Sequence, residues 1–205
     1  DPQLQTKLEQ PYVEINIPFY LALGNHDYAG CTDCYIQFAE SHPKWHFPHR
    51  YYKQDFDAVS FFIIDTENFD TDQQHWLADK LAQSQKKWNI VLGHRPIVSQ
   101  EITKDSEKWE GLEELRSIVC SSADMYISGH AHLLEERSQE SNCSARFLVS
   151  GSGGSIVRKI IQPFTGEFYA EKNGFLSVTT DKDRAVYSFV DVSGKILHET
   201  SIPSE

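Results

Sequence analysis

The chain has 205 residues, enough for one domain with a full hydrophobic core, and its 40% hydrophobic and 24% charged content is that of an ordinary globular protein. A formal net charge of −11 argues against a nucleic-acid surface, which is gripped mainly by Lys and Arg; small phosphorylated substrates stay open, because a metal can dominate the local field of an acidic protein. No apolar run approaches the roughly 18 residues of a membrane span.

Asp1-Pro2-Gln3-Leu4 carries no initiator Met, basic n-region or apolar h-region and reads as the interior of a longer chain. A polar stretch through about Asn16 opens helically and leads into a first strand, Phe19-Tyr20-Leu21-Ala22-Leu23. Residues 35–40 read as a short helix, and Trp45-His46-Phe47-Pro48 begins an aromatic loop. Residues 51–55 and 59–64 read as strands around a turn at Asp55-Phe56-Asp57-Ala58, the second β-branched and aromatic as a buried strand requires. Thr71-Asp72-Gln73-Gln74 resembles a capping box and predicts a helix to about Gln83, with Trp76, Leu77 and Leu81 facing inward. A strand over 88–92 precedes a helix over 110–120, whose Leu112, Leu115, Ile118 and Val119 recur at core spacing. After a strand at 125–128 the pattern turns mostly β, with strands at 146–150, 174–179 and 185–190, then a turn at Asp191-Val192-Ser193-Gly194 and a last strand over 195–202. No repeat, low-complexity segment or linker interrupts the chain, so the expectation is a single mixed α/β (α+β) domain over 1–205.

Four cysteines are too few to be the main scaffold. Cys31-Thr32-Asp33-Cys34 has the spacing of half a zinc site, a local disulfide or two free thiols, without a second Cys or Cys/His pair at zinc spacing. Cys120 and Cys143 are a possible pair across neighbouring elements, and Asn142-Cys143-Ser144 fits a glycosylation sequon. The balance leans towards an oxidising compartment.

Three short histidine motifs carry the chemistry: Gly24-Asn25-His26-Asp27, Gly93-His94-Arg95-Pro96 and Gly129-His130-Ala131-His132. Each follows an apolar run that reads as a strand, so three strands end in a glycine and then present a metal-binding side chain. Open α/β sheets place their ligands at that carboxyl edge. Asn25, His94, His130 and His132 offer one amide oxygen and three imidazoles, donors suited to Zn, Fe, Mn and related ions. His130 and His132, two positions apart on extended backbone, suit two adjacent ions, and a paired centre of that kind activates water and clamps phosphate. His26 would face the pocket as a general acid or phosphate donor, with Asp27 fixing its tautomer. His42, His46, His49, His75 and His198 read as surface or satisfied core residues. Asp65 is read as capping the turn after its strand rather than joining the centre. Ser150-Gly151-Ser152-Gly153-Gly154 lacks the ending of a P-loop and reads as a tight turn near the pocket. All four candidate ligands are neutral, whereas two ions bring at least four positive charges. The motifs therefore lack bridging carboxylates.

At these residues the chain resembles the calcineurin-like metallophosphoesterase superfamily, and within it the small, tartrate-resistant type of purple acid phosphatase. The three histidine blocks stand in that family's order, and residues 18–23, 44–48, 62–66 and 149–153 are similar as well. The likeness runs over nearly the whole chain. It implies a two-sheet β-sandwich flanked by helices, with N-terminal strands missing, since the Asp-x-Gly and Gly-Asp-Asn-Phe-Tyr blocks have no counterpart here. The carboxylates and Tyr of those blocks are thus expected upstream of residue 1, and the chain is expected to be N-terminally incomplete, with that segment of the same protein as its partner. The implied activity is a di-metal acid phosphatase that hydrolyses phosphate monoesters by attack of a metal-bound hydroxide. Asn25, His94 and His130 would bind a divalent ion (Fe, Zn or Mn), His132 would bind iron, and His26 would contact substrate, with Asp27 as its catalytic partner. The further substrate-contacting His of the tartrate-resistant type is lacking in residues 97–103, and Arg95 is the candidate cation near the phosphate. The rival readings are a non-catalytic binding module of the same fold and a phosphodiesterase. The resemblance favours a secreted, lysosomal or periplasmic protein.

Overall fold

In the computed structural model, which describes residues 4–101, 109–137, 142–160 and 168–204, the chain opens with π-helical turns over Leu4–Glu9 and a 3-10 turn at Gln10–Tyr12. The first three residues of the polar N-terminal stretch, and residues 102–103 beyond the second histidine block, lie outside the described residues. β1 (Phe19–Tyr20) is much shorter than the apolar run that announces it and pairs in parallel with β2 (Trp45–His46), a segment expected to be loop. Between them α1 (Thr32–Ser41) extends the expected helix by a turn at its N-terminal end. Trp45 is buried with Leu23, Phe47, Tyr52 and Ile63, so the aromatic stretch is core rather than surface.

β3 (Tyr52–Asp55) and β4 (Val59–Ile63) form a hairpin, followed by α2 (Thr71–Ala82) and β5 (Trp88–Gly93). The capping of α2 differs from expectation by one residue. Asp70 is the N-cap, its carboxylate accepting the Gln73 N–H at 2.9 Å. The Gln73 amide instead clasps the backbone of Asp65, accepting its N–H at 2.8 Å and donating to its carbonyl at 3.1 Å. α3 (Leu112–Ser122) buries Leu112, Leu115 and Val119 at helical spacing. β6 (Met125–Ser128), β7 (Leu134–Arg137), β8 (Arg146–Ser150) and β9 (Phe168–Ala170) complete the central sheet, and β10 (Gly174–Thr180), β11 (Arg184–Asp191) and β12 (Ile196–Pro203) form a separate antiparallel one.

The central sheet has seven strands in the order β3-β4-β5-β6-β8-β7-β9. β4, β5, β6 and β8 run parallel, so their carboxyl ends share one edge. Period-two alternation sorts their side chains to two cores. Phe62, Val91, Tyr126 and Phe147 meet Leu77, Leu81, Leu115 and Val119 of α2 and α3. Ile90, Met125 and Leu148 meet Ala185, Tyr187 and Phe189 of the three-stranded sheet. This is the expected two-sheet sandwich with flanking helices. Among the described residues no helix is long and apolar enough to cross a membrane.

β7 was not legible in the sequence, because Leu134-Glu135-Glu136-Arg137 has the composition of a solvated turn. Both carboxylates are nonetheless buried and partnered. Glu135 accepts from Ser99 Oγ at 2.7 Å and from the Gln100 N–H at 3.0 Å; burial pushes its carboxyl up, against those hydrogen bonds. Glu136 points into the sandwich and accepts from the Tyr187 hydroxyl and from His198 Nε2, the latter at 2.7 Å. His198 also stacks on Phe168, and His42 stacks on Phe38, so both are satisfied side chains.

All four cysteines are joined, Cys31 to Cys34 and Cys120 to Cys143. The half-zinc reading of the first pair therefore falls. The second bridge, with 23 residues of sequence separation, ties α3 to the loop before β8. Replacing both Cys120 and Cys143 by Ser is expected to lower unfolding stability by about 3 kcal/mol, from loop entropy regained by the unfolded chain; urea titration with circular dichroism measures it.

Candidate metal centre

The ladder delivers the donors. Gly93 ends β5, and the next residue, His94, places its Nε2 2.8 Å from Asn25 Oδ1 and 3.1 Å from His130 Nδ1. The His94 and His130 rings meet edge to face, centroids 5.0 Å apart. An amide oxygen and two imidazole nitrogens thus converge from the loop after β1, the end of β5 and the turn after β6. Gly24 makes the approach possible. A Cβ there would stand 2.8 Å from the His94 ring atoms, a distance real side chains do not tolerate. His130 sits at φ 60, in the left-handed region that non-glycine residues rarely occupy. The tight turn is closed by the Ala131 N–H donating to Gly129 O at 2.7 Å and the Leu133 N–H to Ala131 O at 2.9 Å. The glycine-rich turn after β8 packs directly on it: a Cβ at Gly151 would lie 1.8 Å from Ala131 O.

Burial, reinforced by the neighbouring His130 and Arg95 charges, pushes His94 down to about 4. Burial and the Arg95 charge also lower His130. Burial thus disfavours, at both imidazoles, the charged form that cannot donate a lone pair.

The other expected residues fall in different places. His26 is exposed beside Asn25 and lines the same cleft, about 310 Å³ in volume, together with His94, His130 and His132. The His132 ring lies against Ser155 and Ile156: Nδ1 is 3.0 Å from Ser155 Oγ and 3.1 Å from Ile156 O. Asp27 works on the backbone, accepting the Gly24 N–H at 2.8 Å and a hydrogen bond from the Tyr35 hydroxyl. It thereby shapes the loop that carries Asn25 and His26. Arg95 is locked in a two-point pair with Glu67, Nε to Oε1 at 2.8 Å and Nη2 to Oε2 at 2.9 Å. Asp65 caps its turn as expected, accepting the Glu67 and Asn68 N–H groups at 3.0 and 3.3 Å, and pairs with Arg50 at 3.0 Å. It also receives the Tyr28 hydroxyl, whose pKa burial and Asp65 together raise. That contact straps the Asn25 loop to the end of β4.

Three charged residues near the centre carry no motif: Glu67, Glu101 and Arg158. Glu101 accepts the His132 N–H and the Arg158 guanidinium, and Arg158 lines the cleft. Only the fold brings them there. Asn25, His94 and His130 match a first-row divalent ion in donor chemistry. Among the described residues no group of three His, Cys, Asp or Glu side chains stands at metal-holding spacing, so the convergent set consists of the amide and two imidazoles. It fits one ion, and the ligands expected of a second are not gathered around His132.

Comparison with known proteins agrees with this architecture. A family model described as calcineurin-like phosphoesterase matches residues 2–134. Purple acid phosphatase 4 of Arabidopsis thaliana is 29% identical over an alignment of 230 positions, gaps included, that covers 97% of this chain and 67% of that protein. Tartrate-resistant acid phosphatase type 5 of Rattus norvegicus is 26% identical over an alignment of 224 positions, gaps included, that covers 92% of this chain and 67% of that protein. Among solved structures, "GAP50 the anchor in the inner membrane complex of Plasmodium" superposes with a TM-score of 0.86 at 21% identity, covering 100% of this chain and 73% of that one. At that identity the match shows a shared fold.

Gly24→Ala tests the close approach at the donor triad. It is expected to weaken Zn(II) binding about 10- to 100-fold, the usual cost of disturbing what orients a ligand, with the circular dichroism spectrum unchanged. Competition against a chromophoric chelator measures the loss.

Proposed function

The chain belongs to the calcineurin-like phosphoesterase family, and on that premise we propose that it carries the centre of a metal-dependent phosphomonoesterase, an acid phosphatase like the relatives it resembles. The observation behind this reading is the convergence of Asn25 Oδ1, His94 Nε2 and His130 Nδ1 within 2.8 and 3.1 Å, from positions 69 and 36 residues apart in sequence. A structural role needs no such meeting of three neutral donors at the mouth of a cleft. Asn25, His94 and His130 would hold a divalent ion; the resemblance would give His132 to a second, iron, for which the described residues gather no further ligands. When bound, such ions activate water and polarise the phosphoryl group. The protein's part is to hold the donors neutral and orient the substrate. His26, exposed at the mouth beside Asn25, would protonate the leaving oxygen or donate to the phosphate. Two disulfides support an oxidising compartment, so the protein would act outside the cytosol, secreted, lysosomal or periplasmic, on a small phosphorylated substrate.

A second reading is a non-catalytic binding module. The His132 ring turned to Ser155 and Ile156, and the closed Arg95–Glu67 pair, favour it. Metal analysis with a p-nitrophenyl phosphate assay separates the two. On the phosphatase reading the metal-loaded protein turns over, His26→Ala lowers kcat about 10²- to 10⁴-fold with metal content unchanged, and His94→Ala loses the metal. A protein that holds metal with no turnover under any loading would leave the binding module standing.

A further inference from the structure

Arg158 follows the glycine-rich turn after β8, with no motif to mark it. It nevertheless lines the same cleft as Asn25, His26, His94, His130 and His132. Its guanidinium is held without being closed off. Nη1 donates to Glu101 Oε1 at 2.5 Å, and half of the side chain stays exposed (50%). Glu101 is itself anchored, because its other oxygen accepts the His132 N–H, while the Arg158 N–H donates to His132 O at 3.3 Å. Arg158 is thus tied through backbone and side chain to the His-x-His turn. Among the described residues Glu101 is its only side-chain partner. Arg95 offers the contrast: both Glu67 oxygens engage it, and its side chain is only 14% exposed.

The cleft therefore pairs a neutral donor set with one solvent-facing guanidinium. We propose that Arg158 is the phosphate clamp of this cleft and that it selects phosphate monoesters over diesters. The inference rests on the phosphatase reading for the reaction, and on Arg158 alone for the selectivity. A planar guanidinium matches two oxygens of one phosphoryl group. A monoester presents three terminal oxygens and up to two negative charges, a diester two oxygens and one charge. A fixed cation lining the same cleft therefore adds a preference for the monoester's extra oxygen and charge, on top of what ions at the donor triad would supply.

The test is calorimetric binding of inorganic phosphate, with and without Zn(II), to the wild-type protein, Arg158→Gln, Arg158→Lys and the exposed neighbour variant Lys159→Gln. Near-ultraviolet circular dichroism and metal content serve as controls on folding. Arg158→Gln should weaken phosphate binding about ten- to hundredfold, the range for a lost charge-assisted hydrogen bond. Arg158→Lys should recover part of the loss, and Lys159→Gln should stay within about twofold. The ratio of kcat/KM for p-nitrophenyl phosphate over bis(p-nitrophenyl) phosphate should fall about tenfold in Arg158→Gln, mainly through KM for the monoester. Phosphate affinity in Arg158→Gln within about twofold of wild type, at equal metal content, overturns the proposal, as does a wild-type protein that binds no phosphate. Phosphate bound through Arg158 by a protein that holds no metal sinks the metal-dependent reading and keeps the clamp.

Discussion

Ile63, Leu92, Ile127 and Leu148 stand side by side on four parallel strands, and the geometry of the candidate centre hangs on that one row. Immediately beyond it the chain leaves β4 towards Asp65, β5 towards His94, β6 towards His130 and β8 towards Gly151. The ladder continues past the strand ends: the Ile64 N–H donates to Leu92 O at 2.8 Å, and the Gly129 N–H to His94 O at 3.1 Å. The second bond links the two histidine loops directly. Because both faces of the sheet are buried, one by α2 and α3 and the other by β10–β12, a slip of one residue would turn every core side chain to the wrong side. Packing remote from the cleft thus holds the donors within hydrogen-bond distance of each other.

Charge is arranged around this edge in pairs. Arg50 meets Asp65, Arg95 meets Glu67, and Arg158 meets Glu101. The acidic partner is the more deeply buried member of each pair, and desolvation on that scale is tolerable only with hydrogen bonds from several donors. Asp65 shows how it is done, with Arg50, Tyr28 and two backbone N–H groups on one carboxylate. These pairs also tie loops together. Tyr28 to Asp65 joins the Asn25 loop to β4, and Arg158 to Glu101 joins the turn after β8 to the His132 backbone. These ties surround the donors, and among the described residues lining the cleft Arg158 is the solvent-facing guanidinium.

Misread segments show where local pattern loses to packing. The run over 19–23 has the composition of a full strand, yet only Phe19 and Tyr20 pair as strand, the ladder ending with the Leu21 N–H donating to His46 O at 3.2 Å; Leu23 is buried against Trp45 and Phe47. β7 fails the opposite test. Its two glutamates would place it in solvent, but Ser99, Gln100, Tyr187 and His198 supply donors from three other segments. At α2 the capping chemistry was legible but its position was not, because Asp65, eight residues away, recruits Gln73 for its own backbone.

By itself the sequence determined the element order of most of the chain, the strand-then-glycine placement of three histidine motifs, and the identities of Asn25, His94 and His130 as neutral donors. Those properties are local: periodicity, turn residues and side-chain chemistry are written within a few positions of each other. Only the tertiary structure decided that Arg95 is closed by Glu67, that His132 leans on Ser155 and Ile156, and that Arg158 reaches the cleft. Each depends on which loops the parallel ladder brings to one edge, and a partner 28, 24 or 57 residues away leaves no mark in local spacing.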